Sequence, residues 1–368
     1  MPFESSLPPE PALVHDYLLV LRGAERTFAA MADLWPGAPL YTLLYDAVGT
    51  RGRFSGRVVR TSRLQRLGIR QDGFRRLLPL FPPAADRLGS GRHPLVVSSS
   101  SAFAHRTTPS PGGVHLCYCH SPLRYLWHER ERAREEVPAA LAPALDLLLT
   151  GMRRSDVAAA REVTTFVANS RITRERIADV WGRDSEILHP PVQVDRFRTA
   201  AAEDWFLTVG ELVLHKRTEV ALRAAQHAGV RVKVVGTGPE RERLQALYGQ
   251  TAEFLGRVGD QELAGLYARA RAFVMPNVEE FGIAAVEAQA AGRPVVAIDA
   301  GGARETVLDG RTGILVPEGD EGALAEALRH GHFDTFDPSF IVSHARSFSV
   351  EAFQRGFRAA VEQAWAAR

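Results

Sequence analysis

Val274-Met-Pro-Asn-Val-Glu-Glu-Phe-Gly-Ile-Ala-Ala-Val-Glu-Ala-Gln-Ala-Ala-Gly-Arg-Pro-Val-Val-Ala297 reads as strand, loop, helix and strand in 24 residues. Ala272 to Met275 is a short apolar run, expected to be a buried strand. Pro276 and Asn277 break it. An Ala- and Val-rich helix follows and stops at Gly292. Pro294-Val-Val-Ala-Ile is the next strand. Glu279 therefore falls on a loop at the C-terminal end of a strand. Phe281, Gly282 and Ile283 fall at a helix opening, and Glu287 falls inside the helix.

That order of elements suggests chemistry. A helix N-terminus offers unpaired backbone N–H groups and a positive dipole end, which suit phosphate. The strand ends of an open α/β sheet are where ligands bind. Glu279 and Glu287 are eight residues apart, about 12 Å at helical rise if the helix reaches back that far. Paired glycosidase carboxylates need roughly 5–9.5 Å, so that chemistry is excluded. Two acceptors gripping hydroxyls on either side of a diphosphate fit better, and two solvated glutamates flanking a buried helix fit the spacing equally well.

The alternation extends over the chain. In the first half, Ala12–His15, Pro39–Tyr45, Leu95–Ser98, Val114–Cys119, Thr165–Ala168 and Glu186–Leu188 are expected strands, with Glu25–Leu34 a helix and Asn169-Ser170 a helix cap. His189 to Phe197 contains Pro190 and Pro191 and is expected to be a linker. In the second half the expected strands are Phe206–Val209, Val232–Val235, Ala252–Leu255, Ala272–Met275 and Pro294–Ala297, each followed by a helical pattern. Strands alternating with helices predict parallel sheets.

The chain has 368 residues, enough for two ordinary domains, and 45% apolar residues. Its net charge of +2 argues against nucleic acid. It contains no run of 18 apolar residues, so no transmembrane helix is expected. Met1 to Glu10 lacks the blocks of a signal peptide, and the expected location is cytoplasmic. Cys117 and Cys119 flank Tyr118 on one expected strand, with His115 and His120 beside them. One extended segment cannot close a tetrahedron round zinc, so two buried, reduced thiols are expected and no metal. Residues 51–92 hold eleven arginines against Asp72 and Asp86, interleaved with Leu64, Leu67, Phe74, Leu77, Leu78, Leu80 and Phe81. Such a stretch suits the surface of an anionic membrane, and equally a solvated arginine face in a chain with only two lysines.

Glu279, Phe281-Gly282-Ile283 and Glu287 resemble the Glu-x7-Glu signature of the family 4 retaining glycosyltransferases, which have the GT-B fold. Four further pieces stand in that family's order: His15 to Glu25, Cys119 to Trp127, Phe206 to Arg217, and Val234 to Pro239. The His120–Trp127 segment most resembles the O-antigen mannosyltransferases that use GDP-mannose. The resemblance implies an α/β GT-B chain with two Rossmann-like parallel-sheet domains facing a cleft. Residues 1–190 would bind the acceptor and 191–348 the nucleotide-sugar, and 349–368 would be a helix crossing back to the first domain. It implies retaining hexosyl transfer, most simply mannose from GDP-mannose to a hydroxyl on a glycan or lipid-linked glycan, as in polysaccharide biosynthesis. Neither metal nor other cofactor is expected, since Lys216 and the helix N-terminus can meet the diphosphate charge.

The implied roles fall on particular residues. His120 stands beside the donor sugar, Lys216 at the leaving diphosphate and Glu279 on the sugar hydroxyls. Glu287 grips the ribose. Phe281, Gly282 and Ile283 offer backbone amides. Gly23, Gly210, Gly236 and Gly238 let the chain approach a ligand closely, and Glu25 matches an acid of the family or caps its helix. Arg257 and Val258 bracket the base. Arg124, Tyr125 and Trp127 serve an acceptor or the core. The chain departs from the family at Gly210-Glu211-Leu212, where an arginine is usual in place of Glu211. Either Glu211 points away and Arg217 helps, or the diphosphate is held less well. A UDP-sugar-dependent enzyme with a small-molecule acceptor, another GT-B enzyme such as an epimerase or phosphorylase, and a non-catalytic nucleotide-sugar-binding subunit are the competing expectations. A peripheral place on the inner face of the cell membrane would go with the basic stretch.

Overall fold

A computed structural model describes residues 7–68, 78–128 and 142–368. The chain divides into two compact units, residues 1–189 with 353–368, and residues 190–352.

The first unit is built on a seven-stranded sheet: β1 Ala12–Leu18, β2 Leu40–Tyr45, β3 Val59–Thr61, β4 Leu95–Ser100, β5 Val114–Cys119, β6 Thr165–Ala168 and β7 Ser185–Ile187. Its order is β3-β2-β1-β4-β5-β6-β7, and every pairing is parallel. Parallel strands are covered on both faces, so they lose the polar alternation of a half-exposed sheet. All six residues of β4 and all six of β5 are buried. Ser170, expected as a cap, caps the Arg171–Trp181 helix by accepting from Thr173 N, and Gly182 ends it in the left-handed conformation. The Val350–Ala366 helix buries Phe353, Phe357 and Val361. Phe353 and Phe357 meet Tyr118 edge-on, and Gln354 Nε2 donates to Ala30 O at 2.9 Å.

The second unit is a six-stranded sheet: β8 Phe206–Val209, β9 Val232–Val235, β10 Ala252–Gly256, β11 Phe273–Met275, β12 Val295–Ile298 and β13 Gly313–Val316. The order is β10-β9-β8-β11-β12-β13, again all parallel. One apolar cluster lies round Tyr267, Phe273 and Ala285, and another round Phe206, Leu222 and Leu324. Both sheets reverse their order at one place, between β1 and β4 and between β8 and β11. The carboxyl ends of the strands flanking such a switch point are where open α/β sheets bind their ligands.

The strands expected from apolar runs are present. Two more, β3 and β13, are not among them. β3 is three residues long, lies at the sheet edge and is centred on exposed Arg60, so it carries no apolar signal. β13 does carry one in Ile314-Leu315-Val316, but it is a four-residue edge strand that opens on Gly313.

Candidate functional site

In the second unit the switch point gathers Lys216 and Glu279. Lys216 closes a one-turn 3-10 helix, Leu214–Lys216, just after β8. Glu279 follows β11, after Pro276 and Asn277 have ended the strand. Lys216 Nζ donates to Glu279 Oε1 at 2.5 Å, and Asn277 Nδ2 donates to the same oxygen at 2.7 Å. The lysine and glutamate side chains are 29% and 25% exposed, so the pair is open to a ligand. Asn277, buried at 7%, is a site residue that the sequence reading used only as a strand breaker. The loop carrying Glu279 is held by the turn after β12: Gly302 N donates to Glu279 O at 2.8 Å, and a Cβ on Gly302 would lie 2.3 Å from Phe281 Cα.

The helix opens where Phe281, Gly282 and Ile283 were expected to place it. It runs Ile283–Ala290, so Glu279 lies on the loop before it and the helical-rise separation of the two glutamates does not apply. Gly282 is its N-cap with φ of +89°, a conformation that disfavours a side chain. The Phe281 side chain is buried at 4% exposure and meets Phe348 at 5.5 Å, anchoring the turn. Ala285 N donates to Gly282 O at 3.0 Å, while the N–H groups of Ile283 and Ala284 precede the i→i−4 ladder, as at any helix start. Glu287 is half-buried and accepts from Tyr267 Oη at 3.2 Å. Burial first, then the Glu287 charge, pushes the Tyr267 phenol well above its ordinary range, so it stays a donor to that carboxylate.

Gly236 and Gly238 have a reason within the chain itself. Gly236 has φ of +143°, and a Cβ there would fall 1.8 Å from Gly210 O. A Cβ on Gly238 would fall 2.2 Å from Leu212 O. Both glycines let the loop after β9 close against the loop after β8. Gly210 differs, since a Cβ there would meet nothing within 4 Å. We expect Gly238→Ala to lower Tm strongly, because the clash is with backbone. Gly210→Ala should leave Tm nearly unchanged, since a compatible Gly→Ala site changes stability by no more than about 1 kcal/mol. Any nucleotide-sugar response lost in Gly210→Ala at unchanged Tm locates the ligand in front of that loop; an unchanged response in a thermal-shift titration places it elsewhere.

Glu211 is exposed on the same loop. Arg217, in the left-handed conformation with φ of +49°, lies 3.6 Å from Glu318 Oε1, with both side chains about half exposed. Its charge is therefore shared with Glu318. Arg257 is exposed and Val258 half-buried just beyond β10, where Gly256 turns the chain.

In the first unit the switch point gathers His15, Asp16, Ser99 and His120. Asp16 is the residue that sequence reasoning passed over. Its Oδ2 accepts from Ser101 N at 2.5 Å and Ala102 N at 2.9 Å, and its Oδ1 accepts from Phe103 N and Ala104 N, each at 2.6 Å. Burial pushes the Asp16 carboxyl up, against the pull of these donors. Position 16 follows His15 in the first motif, and an acid inside an apolar strand was the available signal. His120 directly follows β5 and is half-buried; its Nε2 lies 2.9 Å from Ser99 Oγ, and its carbonyl accepts from Thr173 Oγ1 at 3.0 Å. Gly23 starts the Gly23–Asp33 helix, and Glu25 caps it by accepting from Arg22 N at 2.9 Å.

Arg124, Tyr125 and Trp127 form the short helix Arg124–Trp127. Arg124 is exposed and Tyr125 half-buried. Trp127 is half-buried, and its Nε1 donates to buried Asp156 at 2.9 Å, so that N–H is used inside the unit. Asp156 also accepts from Trp181 Nε1 at 2.8 Å and lies 3.2 Å from His105 Nε2.

Cys117 and Cys119 are buried free thiols, and burial pushes Cys117 up to about 12. No group of metal-ligating side chains stands out among the described residues. No described helix is long and apolar enough to cross a membrane. In the basic stretch, Arg70, Asp72, Phe74, Arg75, Arg76 and Leu77 lie outside the described residues. Of the others, Arg53 pairs with Asp33, Arg57 donates to the carbonyls of Ala32, Trp35 and Ala38, and Arg60 donates to Tyr41 Oη. Phe81 is fully buried, while Leu67 and Leu80 are 59% and 48% exposed. Part of the stretch is thus structural.

Residues 203–331 match the family described as Glycosyl transferases group 1. A GDP-mannose-dependent alpha-(1-6)-phosphatidylinositol monomannoside mannosyltransferase of Mycolicibacterium smegmatis is 34% identical over 200 residues, covering 45% of this chain and 52% of the relative. A GDP-mannose-dependent alpha-mannosyltransferase of Mycobacterium tuberculosis is 40% identical over 124 residues, 33% of this chain and 32% of the relative. The matched parts are thus about half of the first relative and a third of the second. HepE of Anabaena, solved in complex with UDP, superposes with a TM-score of 0.69 at 19% identity over 96% of this chain and all of that one. The two parallel-sheet α/β units are those of the GT-B glycosyltransferase fold, as the sequence led us to expect.

Proposed function

We propose that this chain is a retaining glycosyltransferase that moves mannose from GDP-mannose to a hydroxyl on a glycan or lipid-linked acceptor. The observation that supports it most is the Lys216–Glu279 pair at the β8/β11 switch point. It stands beside a helix opened by Gly282 and lies within the segment similar to the group 1 glycosyl transferases. A nucleotide-sugar offers each partner a different bond. Its diphosphate takes Lys216, and its sugar hydroxyls take Glu279. The helix N-terminus adds backbone N–H groups for the phosphate or sugar, and Glu287 holds the ribose. Arg257 and Val258 bracket the base.

In this reading the acceptor hydroxyl attacks the anomeric carbon from the face that the diphosphate leaves. The C1–O bond to the β-phosphate breaks as the new C1–O bond forms, and the departing phosphate oxygen takes the acceptor proton. Lys216 stabilises the charge that develops there, a task that draws on a preorganised cation and asks for no metal. His120 acts on the transferred sugar. Mannose and GDP are favoured by the mannosyltransferases similar to the chain, and a lipid-linked acceptor goes with contact between residues 51–92 and an anionic membrane.

The test is a thermal-shift titration of the full chain with GDP-mannose, UDP-glucose, UDP-GlcNAc and the free nucleotides, with EDTA present. A ligand at a hundred times its Kd stabilises the native state by about 2.7 kcal/mol. GDP-mannose and GDP should raise Tm while the uridine compounds do not. A rise with UDP-sugars alone moves the reading to a UDP-sugar donor. A shift with no nucleotide overturns it.

A further inference from the structure

His120 belongs to a hydrogen-bonded chain that reaches back into the first unit's core. His15 and Ser99 are register partners on β1 and β4. His15 is 2% exposed and Ser99 fully buried. His15 Nδ1 lies 3.0 Å from Ser99 O and 3.1 Å from Ser99 Oγ, and Ser99 Oγ lies 2.9 Å from His120 Nε2. The His15 ring stacks on Phe28 at 4.9 Å, and Thr173 holds the His120 carbonyl, so both ends are fixed.

The directions follow from what each atom can do. Ser99 O is a carbonyl and only accepts, so His15 Nδ1 carries a hydrogen and donates. That same N–H is the group facing Ser99 Oγ, so the hydroxyl oxygen accepts there. The Ser99 hydrogen then needs an acceptor. Among the described residues the one in reach is His120 Nε2. A buried hydroxyl left without an acceptor is costly, so Ser99 donates to His120. Burial, with the His120 ring next in effect, holds the His15 imidazole down to about 3, so His15 stays neutral and remains the donor to Ser99 O at neutral pH.

We propose that Ser99 is a positioning residue, oriented by His15, that locks His120 in the tautomer carrying its hydrogen on Nδ1. His120 then meets a substrate oxygen as a hydrogen-bond donor and not as a base. The tautomer follows from the first unit alone. Its use on a sugar oxygen rests on the glycosyl-transfer reading.

The test separates the two. The full chain, labelled with 15N-histidine, is examined by long-range 1H–15N correlation at neutral pH, and the His120 signals are identified by their loss in His120→Gln. The expected spectrum has a protonated Nδ1 and an unprotonated Nε2. In Ser99→Ala the ring should exchange between forms, and Ser99→Thr, which keeps the hydroxyl, should restore the wild-type pattern. With the donor that proves active, Ser99→Ala should lower kcat about tenfold at unchanged donor KM, the loss of one hydrogen bond, and Ser99→Thr should recover it. A wild-type His120 protonated on Nε2, or a Ser99→Ala spectrum identical to wild type, overturns the tautomer lock. A shifted tautomer with unchanged kcat overturns its role in turnover. The expected spectrum with no turnover of any nucleotide-sugar overturns the glycosyl-transfer reading while the lock stands.

Discussion

Lys216→Ala should lower kcat by about 10²- to 10³-fold, the cost of removing one preorganised group aimed at a developing anion. It should leave Tm nearly unchanged. The Lys216–Glu279 pair is partly open to solvent, and pairs of that kind contribute about 0–1 kcal/mol to folding. Asn277 still satisfies Glu279 Oε1 when the lysine is gone. Activity and stability should therefore separate. Lys216→Arg keeps the charge but replaces a compact ammonium with a planar fork, so it should recover only part of the rate. Initial rates at saturating donor, read beside a melting curve, decide the matter. A loss below tenfold would remove Lys216 from the transition state, and a large fall in Tm would assign its loss to folding. Glu211→Arg restores the residue usual in the resembling family and should raise donor affinity if the exposed glutamate repels the diphosphate.

The largest stability effect should come from Asp16→Ala. It strips acceptors from four backbone N–H groups at once, those of Ser101 to Ala104. Each buried donor left unpaired costs about 1–3 kcal/mol, so the loss should exceed about 4 kcal/mol, a large share of the stability of an ordinary domain. Asp16→Asn tests the assignment more finely. Each carboxylate oxygen serves two N–H groups, so either orientation of the amide turns its NH2 toward two donors. About half of the loss should remain. Because residues 101–104 directly follow Ser99 and Ser100, the same change should disturb His120 before the unit melts. Chemical denaturation followed by far-ultraviolet dichroism measures the loss, and a change below about 1 kcal/mol would mean that water replaces the carboxylate.

Much of this protein is legible residue by residue. Continuous apolar runs such as Val114–Cys119 mark buried parallel strands because both faces of such a sheet are covered. Ser170, Gly182 and Gly292 punctuate helices through local backbone chemistry that needs no tertiary partner. The edge strand Val59–Thr61 was not legible, since three residues at an edge are held by pairing with β2 and not by their own pattern. Trp127 shows the same limit at the site. Its type suits a sugar, and only the approach of Asp156 from 29 residues away shows that its N–H is already used.

The sequence by itself determined the alternation of strand and helix, the parallel sheets and the short list of residues worth watching, because these follow from local periodicity and backbone preference. Tertiary structure alone decided which of those residues meet. Lys216 finds Glu279 across 63 residues. Asp16 closes a loop more than 80 residues away. Gly236 makes room for the carbonyl of Gly210. Each depends on which strands the sheet sets side by side, and that order is set by packing between segments distant in the chain, which no local pattern encodes.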